Sequence, residues 1–293
     1  MFANAAHLHN GYGQGQQDQQ GQQEQSSLTE PELEWAWEIK EAIADDPELR
    51  AISDFDIAQL AIVTLGLEDL YSVRERVLAM QSLREEYKLI DTPEHGLEIM
   101  RGFICDQQPG YILGFDLAPN GRHYTVTFDF AASIPILVKT DEDWRIYLGG
   151  FYYMLSAACA NLTNIREGLV HLVECDGMGY QNINMSVTQR WAEELAMHFP
   201  IETKEAIWLH TPMVANILCS FTKQWMNSRQ GRWDRIKLGC KLDFYDGRID
   251  ALFNIPSIQA AQEKVLFNVY NALVERYHNQ KTFQLPPNPL DRE

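Results

Sequence analysis

A change of hydrophobic period near Pro109 constrains this chain more than any other feature. Before it, apolar residues recur at three- and four-residue spacing: Ile57, Leu60, Ala61, Thr64 and Leu65 in one run, Val73, Val77, Met80 and Leu83 in the next. That pattern belongs to helices that present one face to a core. After it, apolar runs of strand length alternate with helical ones. Residues 111–117 and 124–130 predict a hairpin, joined by Pro119-Asn120-Gly121, where the Gly permits a positive φ. A helix over 142–162, a strand over 168–175 and a helix over 187–198 follow. A strand over 206–210, a helix over 213–226, a strand over 235–238 and a helix over 258–277 complete the series. This alternation predicts an α/β fold: a mixed, mostly parallel sheet flanked by helices, preceded by a helical N-terminal subdomain.

Four regions follow from the composition. Residues 1–27 hold eight glutamines between Gln14 and Gln25 and too few apolar side chains to offset ordering entropy, which predicts a disordered tail. Residues 28–108 form the helical region, opened by Thr29-Glu30-Pro31-Glu32, an N-cap, a first-turn Pro and a capping-box Glu. Residues 109–245 form the α/β domain. Residues 246–293 add a helical cap and an extended tail, Pro286-Pro287-Asn288-Pro289.

The net charge of −17 argues against binding nucleic acid, which needs Lys and Arg to displace counterions. Thirteen acidic residues lie between Glu24 and Asp69 against Lys40 and Arg50, whereas six basic residues lie between Lys223 and Lys241 against Asp234. Five scattered cysteines without a C-x-x-C pair read as reduced core thiols. The sequence lacks a nucleophile elbow, a zinc-protease motif and a phosphate loop. Asp176-Gly177-Met178-Gly179 is a turn without the third Gly of a dinucleotide motif. These absences predict a non-enzymatic protein with no metal and no cofactor. Without a signal sequence or an apolar run of about 18 residues, a cytoplasmic protein is expected.

The helix over 213–226 aligns Val214, Ile217, Leu218, Phe221 and Trp225 on one face and is followed by Lys223, Arg229, Arg232, Arg235, Lys237 and Lys241. An apolar helix beside a basic stretch suits either a packed surface helix with a solvated flank or the surface of an anionic membrane.

The segment Gly168-Leu169-Val170-His171-Leu172-Val173-Glu174-Cys175-Asp176-Gly177 resembles the Gly–apolar strand–acidic–Gly signature of CRAL-TRIO (Sec14-like) lipid-binding domains. Phe199-Pro200 with His210-Thr211-Pro212, then Lys223-Gln224-Trp225 and Asp234-Arg235-Ile236, resemble later landmarks of that family in the same order. The resemblance implies a deep hydrophobic pocket closed by the helix after Pro212 acting as a gate. It also implies binding and intermembrane transfer, or sensing, of a small hydrophobic lipid. Its pocket residues map to Leu148, Phe151 and Leu155 on the long helix, and to Leu169, His171 and Val173 on the central strand. Trp191, Leu195, Ala206 and Trp208 follow, then Val214, Leu218 and Phe221 on the gate. His171, facing an apolar cavity, needs a buried side chain, a water or a ligand hydroxyl as partner. Ile201 stands where phosphatidylinositol-binding members have Glu. The tocopherol and retinal carriers, whose basic residues near the gate meet anionic phospholipid from outside, are a closer pattern for Lys204, Arg229 or Arg232, and Arg235; with Lys223, at the family's Lys-Pro-Phe position, these form the expected headgroup-binding set. Two alternatives stay open: a phosphoinositide or phospholipid transfer protein, and an interaction scaffold without ligand. The expected partners are a hydrophobic ligand and, transiently, an anionic membrane surface.

Overall fold

The computed structural model describes residues 27–44, 46, 47, 49, 52–218, 220 and 254–289, with the backbone of 236–240. The helical region comprises α1 (Glu30–Ala44), α2 (Asp54–Thr64), α3 (Leu70–Glu86) and α4 (Pro93–Arg101). Helix starts leave N–H groups without intrahelical partners, and local side chains supply them. Ser53, Asp69 and Thr92 accept from the N–H groups of Asp56, Ser72 and His95. At α1, the Glu32 carboxylate accepts from the Thr29 N–H at 2.8 Å, the return half of a capping box. The same carboxylate pairs with Arg166 at 2.6 Å, which ties the first helix to the α/β layer.

The strands β1 (Ile112–Leu117), β2 (Tyr124–Asp129), β3 (Leu169–Glu174), β4 (Thr203–Leu209) and β5 (Ile236–Cys240) lie side by side in chain order. β1 and β2 form the predicted antiparallel hairpin, with Gly121 at φ 70, and the other neighbours run parallel. A mixed, mostly parallel sheet results, as the period change requires.

The helix expected over 142–162 is divided in two. α5 (Asp141–Ala158) starts in a capping box between Thr140 and Asp143 and ends at Cys159. The Asn161 side chain then accepts from the Asn164 N–H and starts α6 (Leu162–Glu167). An Asn offers the backbone a side-chain acceptor in place of the next helical turn, so the chain turns there. Gly168 leads into β3 at φ 72, and a Cβ at this position would stand 2.6 Å from the Glu202 carbonyl oxygen. Only glycine fits that approach.

α7 (Met185–Trp191) continues as a π-helical turn, Ala192–Ala196, and residues 213–218 are helical. α8 (Ile258–Thr282) runs past its predicted end at 277 and packs on α4, α5 and the edge strand β1. Asn268 donates to the Phe115 carbonyl at 2.7 Å, so α8 satisfies backbone that an edge strand leaves open. The Pro-rich tail is held rather than free: Trp37 Nε1 donates to the Pro286 carbonyl at 2.9 Å, and the Leu285 N–H to Asp54 at 3.0 Å. One apolar core runs from Leu33 through Leu285.

Candidate functional site

Strand alternation places successive side chains on opposite faces of the sheet. The register aligns Val126 with His171 and Ala206, and Phe128 with Val173 and Trp208, across β2, β3 and β4. The predicted strand residues therefore share one face. α5 covers it: Phe151 lies 6.5 Å from Phe128 and 5.6 Å from Trp191, while Leu148 and Leu155 are buried in the same core. Leu195, Ala206 and Trp208 belong to that core as well.

Sequence reasoning missed how aromatic this face is. Phe151 also meets Phe103 and Tyr111, and Phe130 from the loop after β2 packs edge-on against Trp208 at 5.2 Å. The alternating Tyr124, Val126, Phe128 of β2 was the available signal.

Two polar atoms stand in this apolar surrounding without hydrogen-bond partners: His171 Nε2 and Trp191 Nε1. Burial pushes the His171 imidazole down to about 4, so it is neutral at pH 7. Trp Nε1 can only donate, whereas a neutral imidazole nitrogen donates or accepts according to tautomer. Such a site suits a mostly apolar molecule that offers an oxygen acceptor. The partner that His171 requires is not supplied at Nε2 by any described residue.

The loops after β2, β3 and β4 all leave the carboxyl end of the parallel strands. There Glu174, fully buried, faces His210 Nδ1 with its two oxygens at 3.0 and 3.1 Å, and accepts from the Asp176 N–H at 2.8 Å. His210 adopts φ 46, a left-handed conformation that costs a non-glycine residue energy. This contact ties the end of β3 to the chain entering residues 213–218. The sequence signal was a Glu ending an apolar strand.

Within 213–218, Val214 and Leu218 are 7% and 8% exposed and join the main core, whereas Met213 and Ile217 are 77% and 50% exposed. Ile217, expected on the buried face, instead points outward, because 214 and 218 lie one turn apart along the inner stripe. Nearby loops also expose Ile136, Leu137 and Tyr180. The remaining gate and basic positions, Phe221, Lys223, Trp225, Arg229, Arg232, Arg235 and Lys241, lie outside the described residues, as does the Lys237 side chain. Lys204 is not beside the 213–218 segment. It sits at the amino end of β4, paired with Glu167 at 2.6 Å. Among the described residues no helix is long and apolar enough to cross a membrane.

Comparison with family models matches residues 145–231 to the CRAL/TRIO domain, a stretch that begins within α5 and runs through β3 and β4. No curated protein matches the chain.

Proposed function

We propose that this chain, which belongs to the CRAL/TRIO family through residues 145–231, holds a small lipophilic ligand between the β2–β4 face and α5 and exchanges it at anionic membranes. The family supports the coarser part of that reading, binding of a small lipophilic ligand. The observation that carries the site assignment is the pair of unpartnered groups, His171 Nε2 and Trp191 Nε1, set among aromatic and aliphatic side chains. Leaving buried polar groups unpaired costs roughly 1–3 kcal/mol each, and a ligand hydroxyl or carbonyl oxygen removes that cost. The ligand is therefore a hydrophobic lipid with a small oxygen-bearing group. The protein binds it through Leu148, Phe151, Leu155, Leu169, Val173, Leu195, Ala206 and Trp208 without reacting with it.

Residues 213–218 form the start of the gate. Exposing Val214 and Leu218 to water would cost roughly 3–5 kcal/mol as an upper bound, so opening in solution is rare. A bilayer lowers that cost by accepting both the opened inner face and the already exposed Met213 and Ile217. The basic run from Lys223 to Lys241 follows in the chain and orients this end toward anionic lipid.

A second reading has its own support. Phe151 against Trp191 and Phe130 against Trp208 already occupy much of the face, which favours a ligand-free interaction module. Native mass spectrometry of the protein purified without detergent separates the two. A reproducible apolar adduct, lost in His171→Leu with Trp191→Phe, supports the carrier. A bare mass from every preparation, with no uptake from lipid extracts, overturns it in favour of the scaffold.

A further inference from the structure

A cavity of about 340 Å³ opens between α2, α3 and α8. Tyr152, next to Phe151 on α5 but turned toward the helical layer, forms part of its wall with Phe199 and Pro200. Most of its charges are matched one to one. Arg276 pairs with Asp56 at 2.9 Å and donates to the Cys159 carbonyl at 3.0 Å. Arg84 pairs with Asp91 at 2.5 Å, and Arg76 is held by Glu68 and the carbonyls of Met197 and His198. Lys281, exposed at the rim, has no ion pair among the described residues, so the wall carries surplus positive charge in a chain of net charge −17.

Three polar atoms of the same wall have no hydrogen-bond partner: Gln59 Oε1, Arg84 Nε and Tyr277 OH. Gln59 and Tyr277 are 1% and 5% exposed, so ordinary surface solvation does not account for them. Gln Oε1 only accepts and needs a donor; a guanidinium only donates and favours phosphate or carboxylate oxygens; a phenol does both. A monoester phosphate carries nearly two negative charges near neutral pH, a match for Arg84 and Lys281 together. The volume lies at the small end for ligand sites and suits a compact molecule.

We propose that this cavity is a second binding site, for a small hydroxylated phosphomonoester of the sugar-phosphate type. Arg84 and Lys281 meet the phosphate, and Gln59 and Tyr277 meet hydroxyls. The site is separate from the lipophilic one and does not depend on it.

The test is calorimetric titration of the full-length protein with glucose 6-phosphate, with glucose and inorganic phosphate in parallel. The expected result is saturable binding that Lys281→Glu and Arg84→Met each weaken about tenfold or more, while His171→Leu leaves it unchanged. Lys281 is exposed, so its variant remains folded and keeps the test decisive. No heat from glucose 6-phosphate at about 10 mM, or equal binding by the Lys281 variant, overturns the site. Inorganic phosphate binding as tightly as the sugar phosphate overturns the roles of Gln59 and Tyr277. Vesicles bearing phosphatidic acid carry the same phosphomonoester on a lipid. Their failure to compete supports a soluble ligand, and competition overturns that source.

Discussion

At the amino end of the parallel strands, Arg122, Glu167 and Lys204 form a run of ion pairs at 2.5 and 2.6 Å, on partly exposed side chains. At the carboxyl end, the loops expose Ile136, Tyr180 and Met213, while the Glu174–His210 contact is withdrawn into the protein. Charged pairs at a surface are adapted to water and contribute little to stability. Exposed apolar side chains also occur elsewhere, as at Leu117, but at this end three successive loops carry them. Between the two ends lies the apolar face of His171 and Phe151. The contrast gives the sheet a direction: an end of paired charges, an apolar interior and an end whose loops expose apolar side chains.

The strongest way to break that contrast is to empty the interior. Phe151→Ala removes a ring that meets Phe103, Tyr111, Phe128, Tyr147 and Trp191. Urea denaturation should show a loss of about 3–5 kcal/mol, the range for a buried Phe that leaves a cavity. A loss below about 1 kcal/mol would mean that the face is already open and not packed.

His171 sharpens the same contrast through pH. Its folded value, about 4, lies below the ordinary 6.5 because burial disfavours the imidazolium. Between those values the unfolded chain binds more protons than the folded one, so stability is complete above about pH 6.5 and falls as pH drops toward 4. Relative to His171→Leu, the wild-type protein should lose up to about 3 kcal/mol over that window. Identical pH profiles for the two proteins would show that the imidazole is hydrated and the interior wet.

Much of this was readable beforehand, and the reasons are local. The period change at Pro109 separated helices from strands because alternation and 3.6-residue repeats cannot be satisfied by one backbone. His171 stood out because a titratable residue interrupted an apolar strand. The break in the long helix is not legible in the sequence because Asn161 acts through one side-chain hydrogen bond, a signal weaker than the flanking periodicity. The resemblance assigns Trp191 to the pocket, but its unpaired Nε1 depends on what surrounds it in three dimensions. Lys204 joins the basic residues near the gate only through the family resemblance, and strand direction puts it at the other end of the sheet.

The apolar end can be tested without disturbing the core. Met213→Asp with Ile217→Asp places charges on side chains that are already exposed, so the unfolding midpoint should move by no more than about 0.5 kcal/mol. Sedimentation with phosphatidylserine vesicles should nevertheless fall roughly tenfold, since insertion of these two side chains contributes on the order of 1–2 kcal/mol. Unchanged vesicle binding would remove this end from the membrane contact.

The smallest expected effect tests the opposite end. Lys204 is exposed, and its ion pair with Glu167 is shared with Arg122, which remains to hold the carboxylate. Lys204→Ala should therefore change stability by less than about 0.5 kcal/mol and leave phosphatidylserine-vesicle binding at the wild-type level. Strand length makes the second expectation firm: Lys204 and Met213 lie at opposite ends of β4, and seven strand residues span roughly 20 Å. That separation is about two Debye lengths at physiological salt, too far for Lys204 to act on a bilayer engaged by the 213–218 segment. A clear loss of vesicle binding in Lys204→Ala would mean that the bilayer meets the side of the sheet along β4, and the end-to-end polarity would have to give way to a lateral one.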